Sequence, residues 1–229
     1  MKRKQFEHKE ISLGYEDLNA ETGASGRKYL APNGVSYPSV TTVLSILSEE
    51  SIRAWRARVG EEEANKVSAR ASGRGTRVHL ICEKYLDNEE DFAEGFTPDV
   101  LQTFLTMKET FDNRISAVYA QEAALYSEYL GLAGRVDCVG VFDGKLSIID
   151  FKTSKKLKKR DWINNYFIQE SAYAIMWEER TGMPVTQLVT IIGCDGEDEA
   201  QVFVEHRDDW APKLLETINE YKRRKIFGH

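Results

Sequence analysis

Between Val118 and Lys152 the hydrophobic period is two, and the segments VYAQEAALYS, AGRVDCVGVF and KLSIIDFK read as three successive strands. Asp143-Gly144 sits between the last two, a pair suited to a two-residue type I′ turn because both positions need positive φ. That turn pairs Phe142 with Lys145, and counting outward along both strands puts Asp137 directly opposite Asp150. Opposed residues share a face with Cβ atoms about 4.5–5.5 Å apart, where like charges repel, so a cation belongs between them. Lys152 lies two residues beyond Asp150 on the same face, while Ile149 and Phe151 point into the opposite layer. Two carboxylates with open coordination suit Mg²⁺ or Mn²⁺. A lysine beside them can orient or deprotonate a water and stabilise charge on a phosphate. An ordinary Asp–Lys pair on a surface hairpin is the competing reading, and a lone Asp-x-Lys would favour it.

Around this hairpin the chain reads as a helical amino-terminal portion followed by an α+β core. The first thirty or so residues, ending in ETGASGRKYLAPNG, look irregular. From Ser39 the apolar residues recur at three and four, as helices require, with Gly73 and Gly75 interrupting the region. A helix is expected from Pro98 to about Ile115, its stripe formed by Val100, Leu101, Phe104, Leu105, Met107 and Phe111. Another is expected from about Trp162 to Glu179, then strands in VTQLVTIIGC and AQVFVEH around the turn DGEDE, then a closing helix in DDWAPKLLETINEYKRRK. Residues 1–117 are thus the lead-in and helical portion and 118–229 the core, in one continuous domain.

Composition narrows the function classes. The chain has 229 residues with 41% hydrophobic content and a formal net charge of −6, which argues against indiscriminate coating of nucleic acid. No run approaches the roughly 18 apolar residues of a membrane span, and the charged start MKRKQFEHKE has no apolar region behind it, so a soluble, cytoplasmic protein is expected. Cys82, Cys138 and Cys194 are odd in number and far apart, which suits neither a disulfide framework nor a metal knuckle. Positive charge is local: Lys155, Lys156, Lys158, Lys159 and Arg160 follow the last strand of the hairpin, and Arg70, Arg74 and Arg77 precede His79. His79 with Glu83, and Gln169 with Tyr173, are four apart on helices, and Trp162 and Trp177 lie near the second pair. Each pair alone reads as packing.

Taken together, GRGTRVHLICEKYL, LAGRVD, LSIIDFKTSKK and FIQESAYAIM resemble, in order and spacing, the RecB-like branch of the PD-(D/E)XK nucleases over residues 38–180. The PSVTTVLS stretch, the Trp-bearing helix and RVGEEEA resemble the subgroup of mitochondrial genome maintenance and phage-type single-strand exonucleases. The resemblance implies a restriction-endonuclease-like core, a central mixed sheet flanked by helices. It makes Asp137 and Asp150 the two acidic residues of the signature, Lys152 its lysine, and His79 the helical histidine near the metal. Gln169 and Tyr173 match the motif that supports the site, Glu122 matches a glutamate of the first core strand, and the Phe151 carbonyl is a further metal ligand. Val136 stands where the nominal proline would be, but GRVD fits the GxxD of this branch. The four cysteines of iron–sulfur relatives are absent, so no cluster is expected. The implied protein is an Mg²⁺- or Mn²⁺-dependent exonuclease on single-stranded DNA with a free end, in replication, repair or recombination. A structure-selective endonuclease, a recombination nuclease subunit and a catalytically inactive DNA-binding module are the alternatives. In this reading the lysine run holds the DNA backbone, and Arg70, Arg74 and Arg77 form the facing wall, their glycine neighbours letting phosphate approach closely. No protein partner is named by these residues.

Overall fold

The computed structural model describes residues 4–227, so the first three residues of the charged amino-terminal run and the last two of the chain lie outside it. From the amino terminus the elements are β1 (Glu7–His8), β2 (Asn19–Gly23), β3 (Gly26–Leu30), β4 (Ser36–Pro38), α1 (Val40–Leu44), α2 (Glu49–Val59), α3 (Glu61–Leu86) and α4 (Pro98–Arg114). There follow β5 (Ile115–Ser127), β6 (Leu132–Phe142), β7 (Lys145–Ser154), α5 (Asn164–Thr181), β8 (Gln187–Cys194), β9 (Gln201–His206) and α6 (Arg207–Phe227). The hairpin forms in the expected register: Phe142 pairs with Lys145, and the ladder runs to Cys138 opposite Ile149. Asp143 and Gly144 have φ of 49° and 78°, the left-handed values a type I′ turn demands.

One six-stranded mixed sheet, ordered β1-β5-β6-β7-β8-β9, carries the molecule. β7 and β8 are parallel, joined by α5 as a crossover, and β1 runs parallel to β5. Side-chain alternation along the strands builds a core on each face. On one face Val139, Ile148 and Leu188 pack under α1, α5 and α6, with Trp177 fully buried among them. On the other, Cys138, Ile149, Phe151, Val189 and Ile191 pack under α3 and α4. This is an α+β fold with a mixed sheet flanked by helices on both faces, as the resemblance implies.

Four expectations need correction. The lead-in is not irregular: β2, β3 and β4 form an antiparallel sheet whose Tyr29, with Leu18 and Ala31, packs on Ala124, Tyr126 and Ala133 of the core hairpin. Its strands are short and mostly exposed, so its composition looked like that of a loop. The stripe of α4 is narrower than expected, for Val100, Phe104, Met107 and Phe111 are buried but Leu105 is 54% exposed. Trp162 and Trp177 do not share surroundings, since Trp162 is 65% exposed just before α5.

Gly73 and Gly75 do not interrupt their helix either. α3 passes through both without a break, and a Cβ added at either would meet nothing within 4 Å. Glycine inside a helix costs about 0.5–1 kcal/mol relative to alanine, too little to end a helix of this length. The double variant Gly73→Ala/Gly75→Ala should therefore melt a few degrees higher. A lower melting temperature would show that these glycines serve a packing role. Among the described residues no helix is long and apolar enough to cross a membrane.

Candidate active site

Beyond the Cys138–Ile149 pair, β6 and β7 part: the first half of β6 stays with β5, and the last half of β7 stays with β8. Asp137 fills the fork. Its Oδ2 accepts the Phe151 N–H at 2.8 Å, replacing the next rung of the ladder, and its Oδ1 lies 3.5 Å from His79 Nδ1 on α3. The His79 ring stands edge-on to Phe151. From β5, Glu122 comes opposite Asp137 with a φ of 46°, a left-handed conformation uncommon outside glycine and a form of strain that gathers at functional sites.

One ligand atom each from His79, Glu122 and Asp137 lies within 4.8 Å of the others, and all three side chains are half-buried. An imidazole and two carboxylates converging this closely are a donor set for a divalent cation. Asp150, 1% exposed, is not in that set; it forms an ion pair with Lys152 and accepts a hydrogen bond from Gln169 Nε2 at 3.1 Å. The set suggested by the resemblance and the one brought together here thus share His79 and Asp137. They differ in that Glu122 stands where Asp150 was expected, while Phe151 contributes its N–H to Asp137.

Burial decides the protonation states. It pushes the Asp150 carboxyl up to about 6, Lys152 opposing and Asp137 adding to the shift. Burial and the Asp137 charge push Glu122 up to about 7. For Lys152 burial works against the charge, but Asp150 and Asp137 outweigh it and raise its pKa above the ordinary lysine range, so it is an ammonium. That makes it an electrostatic group rather than a base, and its charge also sits 5.2 Å from the Tyr166 ring centre.

α5 supports the site from the other face. Tyr173 is 3% exposed, and a Cβ at Gly134 would meet its ring at 2.8 Å, so the glycine of GRVD gives the ring its space. Sequence reasoning missed Glu170. It is completely buried, takes a hydrogen bond from the Thr190 hydroxyl, and leaves its Oε2 without a partner. Burial and nearby Asp150 raise its pKa well above the carboxylate range, so it is a neutral acid. The only signal for it was an acidic residue within an otherwise apolar stretch, FIQESAYAIM.

A cleft of about 1060 Å³ opens beside Thr153 and Ser154, directly after Lys152 along β7. Arg70, Arg74 and Arg77 of α3 line one wall and Lys155 and Lys158 the other. Arg74 is held by Asp195 and, at 2.5 Å, by the Thr103 hydroxyl. Lys156, Lys159 and Arg160 lie outside the lining: Lys159 sits over Trp162, and Arg160 is paired with Glu205 at 2.6 Å. Half of the expected basic surface therefore faces the cleft without an ion pair among the described residues, as Arg70, Arg77, Lys155 and Lys158.

Residues 45–227 match the PD-(D/E)XK nuclease superfamily. The chain belongs to that superfamily. Its similar proteins include the human Mitochondrial genome maintenance exonuclease 1, 30% identical over 129 residues, 53% of this chain and 38% of the relative. The protein of that name from Mus musculus is 31% identical over 137 residues, 54% of this chain and 38% of the relative. That from Xenopus tropicalis is 28% identical over 225 residues, 91% of this chain and 63% of the relative. The chain thus spans less than two thirds of the length of these relatives. The superfamily to which it belongs is one of nucleases.

Proposed function

We propose that this nuclease hydrolyses phosphodiester bonds of single-stranded DNA from a free end, with Mg²⁺ or Mn²⁺ as its metal. The observation that carries the reading is the fork between β6 and β7, which joins an imidazole–carboxylate donor set to an ammonium beside a cationic cleft. His79, Glu122 and Asp137 would hold the ion. Bound there, the ion supplies polarisation of a phosphate oxygen and activation of water. Lys152 stabilises charge growing on the phosphate and aligns the water, while Asp150 and Gln169 fix its position. No covalent intermediate is needed. Two facing cationic walls suit one backbone passing between them, whereas a duplex presents two backbones a full helix width apart. The exonuclease assignment draws on the names of the relatives.

Oligonucleotides labelled at the 5′ or 3′ end, with and without Mg²⁺, test the proposal together with closed circular single strands. Linear strands should shorten only with metal, and circles should persist. Cut circles would replace the exonuclease reading with an endonuclease. Metal affinity should also depend on pH with a defined sign. The ion must displace the Glu122 proton, so below about 7 affinity falls by up to about tenfold per pH unit, and it levels off above. Calorimetry between pH 5.5 and 8 reads this directly, and a flat profile would remove Glu122 from the ligand set.

The cleft makes a second test specific. Each phosphate contact contributes about −0.7 to the slope of log affinity against log salt, so Lys155→Ala/Lys158→Ala should flatten that slope by ~1.4. The same change at Lys156 and Lys159, which lie outside the lining, should leave it unaltered. Equal effects from both pairs would mean that the strand runs over the outer surface of the loop.

A further inference from the structure

A second pocket, of about 290 Å³, shares no residue with the cleft or the metal-ligand set. It lies where α6 meets β3, β4 and the start of β6. Val43, Leu132 and Ile218 give it an apolar floor, and Lys28, Lys222 and Lys225 also line it. None of these lysines forms an ion pair among the described residues, although Arg223 and Arg224 of the same helix turn are paired with Glu220 and Glu49. Tyr221 also lines the pocket.

We propose that this pocket docks a short acidic peptide segment of a partner protein, inserting one bulky apolar side chain and placing carboxylates against the lysines. The apolar floor and the space available fit a single side chain, and three ammonium groups without a carboxylate partner among the described residues fit an anion beside it. Nucleic acid fits less well. The pocket's single aromatic ring, Tyr221, packs against the core with the Lys225 ammonium 4.9 Å from its centre, leaving no open ring face for a base. The docking site would tether the nuclease to a partner without touching the reacting atoms.

The test is fluorescence polarisation with a labelled peptide of four aspartates followed by glycine and phenylalanine. The full-length protein should bind it saturably below about 1 mM. Lys222→Glu/Lys225→Glu should weaken binding at least tenfold, and replacing the peptide's phenylalanine by serine should weaken it at least fivefold. Cleavage of single-stranded DNA should be unaffected in all of these variants. Lys28→Glu, on a different element, should weaken the peptide as well, which separates loss of the pocket from misfolding of α6. No binding by the wild-type protein, or equal binding by the charge-reversed variants, overturns the proposal. So does a loss of DNA affinity in Lys222→Glu/Lys225→Glu matching that of the Lys155 and Lys158 variants, which would make the pocket a nucleic-acid contact.

Discussion

Asp137→Asn and Lys152→Met should both abolish detectable cleavage, yet they should differ in metal binding. Asparagine keeps an oxygen that can accept the Phe151 N–H, so the fork between β6 and β7 should hold its shape. It removes one of the two carboxylate charges that, with His79, converge within 4.8 Å. Calorimetric binding of Mn²⁺ should therefore be lost along with activity. Methionine at 152 leaves His79, Glu122 and Asp137 untouched and should keep metal affinity within a few-fold. It removes the ammonium proposed to act on the phosphate, and losing one such preorganised electrostatic group costs about 10²–10³-fold in rate. Asp150, deprived of its partner, should then be protonated over a wider pH range, because Lys152 is what holds its pKa down to about 6 against burial. Cleavage by Lys152→Met at the wild-type rate would exclude the proposed electrostatic role. Undiminished Mn²⁺ binding by Asp137→Asn would move the metal site elsewhere.

The parts of this arrangement that were legible in the sequence are those fixed by local geometry. Asp143-Gly144 admits few turn types, so it set the register, and the register alone brought Asp137, Asp150 and Lys152 to one end of two strands. What counting residues does not give is where the strands part. That the fork opens just after Cys138–Ile149 depends on β7 being drawn to β8, a parallel partner forty residues further on. For the same reason the sequence did not place Glu122 beside His79: one comes from β5 and the other from α3, and the unusual φ at Glu122 has no local signature. The basic run looked uniform in the sequence. Folding sorts it by which side chains find carboxylates, so Arg160 is taken by Glu205 and Arg74 by Asp195 while Lys155 and Lys158 form no ion pair among the described residues. The amino-terminal sheet was missed because a mostly exposed strand carries the composition of a loop.

Glu170→Gln should make the protein more stable at neutral pH, by an amount that grows as the pH rises. Glu170 is fully buried beside the Asp150–Thr190 rung, with one oxygen on the Thr190 hydroxyl and the other unpaired, and burial holds it in the neutral form. In the unfolded chain the same carboxyl ionises near the ordinary value for glutamate, so the folded state binds one more proton. The stability contributed by the neutral form is fully present below the unfolded pKa and is lost as pH rises toward the folded pKa. The loss is about 1.4 kcal/mol per pH unit for a single proton. Glutamine is neutral in both states and escapes that loss, while Asp150 and Glu122 titrate in both proteins and cancel in the comparison. Thermal melts at pH 4 should nearly coincide. By pH 7 the variant should melt several degrees higher, at about 2–4 °C per kcal/mol for a chain of this size. If Glu170 were instead ionised against Lys152, the sign would reverse: the variant would lose stability as pH rose, because the lysine would lose a buried counter-charge. Melts that separate in that direction would show Glu170 to be an anion of the site, and a pH-independent difference would show that it does not titrate on unfolding.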